Sequence, residues 1–132
     1  MSRFRIPCTP LVALLLVIAC FGGLYSVCFG CIPPPPNTLT ATAVSSTEID
    51  LAWHDTSNLE TDYCIERSPD GINNWGQIVS VGANVVTYAN VGLNPNTPYY
   101  YRVRSHNSHG YSSYSNVAGA TTPAGSGIIN CN

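Results

Sequence analysis

The sequence predicts an all-β domain, a sandwich or a barrel, behind an apolar N-terminal segment. Three observations carry that prediction. From Thr38 onward apolar and polar residues alternate in short runs, the period of half-buried strands. Turn residues interrupt those runs at short, regular intervals, as in "SPDG" and "NPNTP". No segment of this part carries the 3.6-residue period of a substantial helix. At 132 residues the chain has room for one ordinary domain and little else.

The first element spans residues 1–31. "LVALLLVIACFGGLYSVCFGC", Leu11 to Cys31, holds no charge, and Ser26 is its clearly polar side chain. A helix of that length rises about 31 Å, enough to cross a hydrocarbon core of about 30 Å. Arg3 and Arg5 precede it, so the positive end stays inside and the rest of the chain is exported. Three fates are compatible with the residues: a signal peptide cut after Gly30, a lipobox at "VIAC" that lipidates Cys20, or an uncleaved anchor. Attachment at the cell surface or membrane is the expectation, free secretion the alternative. "CIPPPPNT" follows, and residues 32–37 read as a stiff polyproline spacer.

The domain proper covers residues 38–123. "LTATA" is a modest first strand. "EIDLAWH" puts Ile49, Leu51 and Trp53 on one face, with Glu48, Asp50, Ala52 and His54 on the other. "YCIER" turns Tyr63 and Ile65 inward and Cys64 and Glu66 outward. "WGQIVSV", "VVTYANVGL", "PYYYRV" and "SNVAGATT" complete seven segments. Residues 124–132 read as a flexible tail.

Two features within these strands resemble a known family. Trp53 stands at the end of the second strand, and Leu93, Pro95, Thr97 and Tyr99 make a Leu-x-Pro-x-Thr-x-Tyr turn into the sixth. The chain thereby resembles a fibronectin type III domain over Pro33 to Pro123. That resemblance implies a seven-stranded, two-sheet immunoglobulin-like sandwich. It also gives Tyr99 the tyrosine corner, its hydroxyl bonding to backbone a few residues upstream. Tyr101 and Val103 then continue the inward face, whereas Tyr100, Arg102 and Arg104 point outward. Of the three consecutive tyrosines, two are core and Tyr100 is left for surface work.

Composition and spacing point away from chemistry. Beyond residue 31 three arginines face seven acidic residues, without a basic stripe, so nucleic acid is not an expected partner. His54 and Asp55 are strand neighbours that point to opposite faces. His106 and His109 share a loop with no third metal ligand nearby. Asp55, Glu60 and Asp62 match no dedicated calcium loop. Phosphate-cradling loops, nucleophile elbows and zinc-hydrolase helices are absent from the sequence. The reading is no enzyme, no cofactor and no metal. Export into oxidising surroundings permits a Cys64–Cys131 bridge, provided their backbones approach.

What remains is recognition. Tyr100, His106, His109, Tyr111 and Tyr114, with Trp75, offer aromatic and polar area suited to protein or carbohydrate partners. Much of it lies in the loop "HNSHGYSSYS", and such loops carry function on rigid scaffolds. The rival account has Trp75 covering the sheet and the loop tyrosines capping the sandwich. The function expected is binding, adhesion or spacing. The alternative is a structural subunit of an envelope or self-assembling surface structure.

Overall fold

The computed structural model describes residues 30–127. The apolar helix expected over the N-terminal segment, and with it Cys20 and the distal Cys131, lie outside the described residues. Among the described residues no helix is long and apolar enough to cross a membrane.

Eight strands form among them: β1 (Asn37–Ser45), β2 (Glu48–His54), β3 (Asp62–Ser68), β4 (Gly76–Gly82), β5 (Thr87–Val91), β6 (Pro98–Asn107), β7 (Gly110–Tyr111) and β8 (Ala118–Thr121). Antiparallel pairing orders β1-β2-β5 in one sheet and β4-β3-β6 in the other, with β6 shared between β7 and β8. The two sheets pack as a sandwich. The seventh segment anticipated from sequence forms β8, and the stretch read as a loop before it adds the two-residue β7. His106 pairs with Tyr111 on β7, while Pro98 to Tyr101 pair with β8. Between them two serine hydroxyls take over the ladder's work. The Val103 and Ser105 amides donate to Ser115 Oγ at 3.1 Å and Ser112 Oγ at 3.0 Å.

Alternation builds the core. Ile49, Leu51 and Trp53 of β2 face Tyr63 and Ile65 of β3 and Tyr101 and Val103 of β6, all buried. Trp53 meets Tyr63 edge-on, ring centroids 5.8 Å apart, the arrangement that aromatic quadrupoles favour. Leu39 and Leu93 close the same cluster. At the start of β1 the side chain of Asn116 acts as a missing strand. It accepts from the Leu39 amide and donates to the Leu39 carbonyl, both at 2.9 Å.

Two expectations are corrected here. Residues 32–37 do not stand off the domain as a spacer. Pro36 is fully buried, the Pro34 carbonyl accepts from Ser105 Oγ at 2.7 Å, and the Pro35 carbonyl accepts from Thr56 Oγ1 at 2.8 Å. Proline lacks an amide donor but keeps its carbonyl acceptor, so the run docks by accepting hydrogen bonds and by burying the Pro36 ring. The compact unit accordingly begins at Ile32. The second correction concerns Cys64, which is a free, buried thiol rather than half of a bridge. Its sulfur lies 3.4 Å from Ser80 Oγ, and burial pushes its pKa up. Cys31, by contrast, is disulfide-bonded.

Candidate binding face

The outer surface of the β4-β3-β6 sheet carries the most organised group of side chains among the described residues. Cross-strand register sets it up: Glu66 pairs with Arg102, Cys64 with Arg104 and Asp62 with His106. These outward positions alternate along β6, so two guanidiniums and an imidazole project in file.

Aromatic rings interleave with them. The Arg102 guanidinium lies 4.3 Å from the Trp75 ring and 3.7 Å from Tyr114. Arg104 sits 4.8 Å from Tyr114 and 4.1 Å from Tyr111. Tyr111 stacks in turn on His106, centroids 4.2 Å apart and planes inclined by 29°. The result is a ladder running Trp75, Arg102, Tyr114, Arg104, Tyr111, His106. Each cation–π contact contributes roughly 0.5–2 kcal/mol, more where water is excluded.

One carboxylate holds the ladder from beneath. Glu66 Oε2 accepts from Arg102 Nε at 2.9 Å and Nη2 at 2.6 Å. Its Oε1 accepts from the Tyr114 hydroxyl at 2.8 Å and lies 3.3 Å from Arg104 Nη2. Burial would push the Glu66 carboxyl up, but these bonds and the two charges outweigh it and leave the pKa lowered. Asp62 is likewise lowered: burial opposes, while hydrogen bonds from His106, at 2.8 Å, and from Thr61 prevail. Tyr114 is raised, first by burial and then by its bond to Glu66.

Stacking explains a departure from simple alternation. Cys64 and Glu66 face outward, yet only 2% and 6% of their surfaces are exposed. The ladder lies over them. Sequence reasoning anticipated Tyr111, Tyr114 and His106 as surface residues, and these three the structure brings together. Trp75, also anticipated as aromatic area, joins them, and the structure adds Arg102, Arg104 and Glu66, which sequence reasoning left out. Their signal was the outward register of β6 opposite the one acidic outward residue near the middle of β3.

The remaining sites divide. His109 is exposed in the β6–β7 turn, its amide donating to Asn107 Oδ1, and takes no part in the ladder. Tyr100 is half-buried rather than displayed, because its ring covers two glycines. A Cβ placed on Gly119 would come within 2.7 Å of that ring, and one on Gly71 within 2.9 Å. Tyr99 carries the corner: its hydroxyl accepts from the Asn94 amide at 3.0 Å. Tyr101 is fully buried and donates its hydroxyl to Asn90 Oδ1 at 3.0 Å, which burial accompanies with a pKa pushed up to about 12. Trp53, Leu93 and Val103 are buried, and Pro95 lies in the turn before β6. Asp55, Glu60 and Asp62 diverge. Asp55 accepts from the Ser57 amide, Glu60 is buried and Asp62 faces His106. Among the described residues no three His, Cys, Asp or Glu side chains gather as a metal site.

The eight-stranded sandwich, the corner hydroxyl and the buried Trp53 agree with a sequence match. The family model described as Fibronectin type III domain matches residues 34–121. The chain belongs to the fibronectin type III family. Titin of Drosophila melanogaster is 28% identical over 82 residues, 59% of this chain and 0% of that protein to the nearest per cent. The chain therefore spans a negligible share of that relative. A structure of titin domains A168–A170 is similar at 24% identity and a TM-score of 0.62, covering 70% of this chain and 32% of that one. The structure named FN3tt is 25% identical with a TM-score of 0.63, covering 72% of this chain and 99% of that one. The fn3 domain of human collagen alpha-1(XX) reaches a TM-score of 0.65 at 20% identity, covering 76% and 94% of the two chains. Domains of this family are commonly non-catalytic binding or spacer modules.

Proposed function

We propose that the chain is an exported, surface-attached and non-catalytic module that binds protein or carbohydrate through its ladder face. The observation that carries the reading is the convergence of Trp75, Tyr111, Tyr114 and His106 with two arginines on one rigid sheet. Tryptophan, tyrosine and arginine dominate binding hot spots because they offer large area at small entropic cost. Here their rotamers are already held by stacking, so little freedom is left to lose on binding. Tyr111, 47% exposed, is the part of the ladder most open to a partner.

Export is supported by Arg3 and Arg5 ahead of the uncharged run and by the disulfide at Cys31, which suits an oxidising compartment. The non-catalytic reading is supported by the arrangement of the titratable groups. Asp62 and Glu66 are engaged in hydrogen bonds to the ladder's cations rather than poised over an open cleft.

Cell fractionation tests the location: the domain should be protease-accessible on intact cells and resist salt extraction. Full release into the medium would overturn surface attachment. For binding, Tyr111→Ala should reduce retention of partner material from the source cell's own surface without changing thermal stability by more than a few degrees. Unchanged retention would overturn the ladder face as the contact.

A further inference from the structure

The sandwich has a second outer face of opposite character. On the β1-β2-β5 sheet Thr40, Thr42, Ala52, Thr87 and Ala89 point outward and exposed, with Asp50 among them. These short side chains line a shallow hollow. The Asp50 carboxylate makes no hydrogen bond or ion pair, and the half-exposed Glu48 lies two residues along the same strand face. No lysine or arginine lies on β1, β2 or β5. Across the molecule the ladder forms a half-buried layer over its sheet with Tyr111 exposed, and its guanidiniums keep unused donors. Glu66 supplies one charge against two guanidiniums. Arg102 Nη1 and Arg104 Nη1 make no hydrogen bond, although a guanidinium carries five donors.

We propose that the ladder of one copy seats in the hollow of a second copy, so that chains associate face to back. Shape and charge both favour that occupant. A layer of rings packs closely only on a floor of small side chains, and unspent guanidinium donors need a carboxylate, which Asp50 supplies. The two surfaces are different patches of one chain, so the contact is heterologous, and a third copy can add to the second. Filament or ring growth follows from the same geometry. This inference rests on the ladder being a contact surface and adds the identity of one partner.

Sedimentation velocity of the full chain in mild detergent tests it. Species larger than the monomer should grow with concentration at low salt and weaken about tenfold at high salt, as charge pairing is screened. Asp50→Arg and Ala89→Arg, both on the exposed hollow, should each weaken association by about tenfold or more. Mixing Asp50→Arg with Arg104→Glu should restore association that neither variant shows alone. Ala89→Arg keeps the test decisive if Arg104→Glu does not fold. A chain that stays monomeric up to millimolar concentration would overturn the proposal, as would association indifferent to Asp50→Arg and Ala89→Arg. Loss of self-association with Tyr111-dependent surface retention intact would remove the pairing alone and leave the binding face standing.

Discussion

The outward residues of β2 and β3 obey one rule and meet opposite fates. Both strands alternate, and both send every second side chain away from the core. On β2, Asp50, Ala52 and His54 are exposed. On β3, Cys64 and Glu66 are as buried as much of the core itself. Strand period decides direction, whereas burial depends on what neighbouring strands lay across the top. Threonine and alanine leave the first sheet bare; arginine and stacked rings give the second a third layer. The difference makes one outer face a polar core in miniature and the other ordinary surface.

Substitutions can break or sharpen that contrast. The inner face sets the scale: Trp53→Ala should cost about 3–5 kcal/mol through the cavity it leaves, read from chemical denaturation midpoints. Next comes the covered outer face. Glu66→Ala should cost about 2–3 kcal/mol, because it strands two guanidiniums and the Tyr114 hydroxyl without their acceptor. A loss below half a kilocalorie would show that the ladder stands without its carboxylate.

Acid should find the same asymmetry. Glu66 and Asp62 both have folded pKa values below their ordinary ones. A group of this kind contributes stability that is fully present above its unfolded pKa and lost as pH falls through the folded value. Stability should therefore decline below pH 4.5, the ordinary glutamate value, and Glu66→Gln should flatten the decline. An unaltered acid profile in that variant would place the sensitivity elsewhere, with Asp70, lowered by the Ile72 and Asn73 amides, as the next group to vary. The smallest effect belongs to the bare face. Asp50→Ala should change stability by no more than about 0.5 kcal/mol, measured in the same denaturation series. A cost equal to that of Glu66→Ala would erase the distinction between the faces.

Much of the fold was legible because its signals are local. Ile49, Leu51 and Trp53 declare their face by spacing alone, and Leu93 to Tyr99 carry the corner within seven residues. What was hidden depends on partners distant along the chain. Tyr100 looked free because Gly119, whose missing side chain makes its seat, lies on another strand. Glu66 looked solvated because Tyr114 reaches it from 48 residues away. The proline run looked like a spacer because Ser105, which holds it, is 71 residues from Pro34. The ladder was half visible: its tyrosines and His106 stood out as surface aromatics and loop polar groups, but the arginines that bind them into one array read only as outward charges.

The docked prolines change how a tether would load the domain. Tension entering at Ile32 meets the Pro34 and Pro35 carbonyl bonds before it reaches β1. Two side-chain hydroxyls and the burial of Pro36 hold that stretch, whereas β1 is held by a backbone ladder to β2 with two register shifts along it. The strap is therefore a weak link placed in series ahead of a strong one. Under a pull it yields first, freeing about 12 Å of polyproline while the sandwich keeps its shape. A domain pulled from that end would absorb a tug as added reach before any strand is lost.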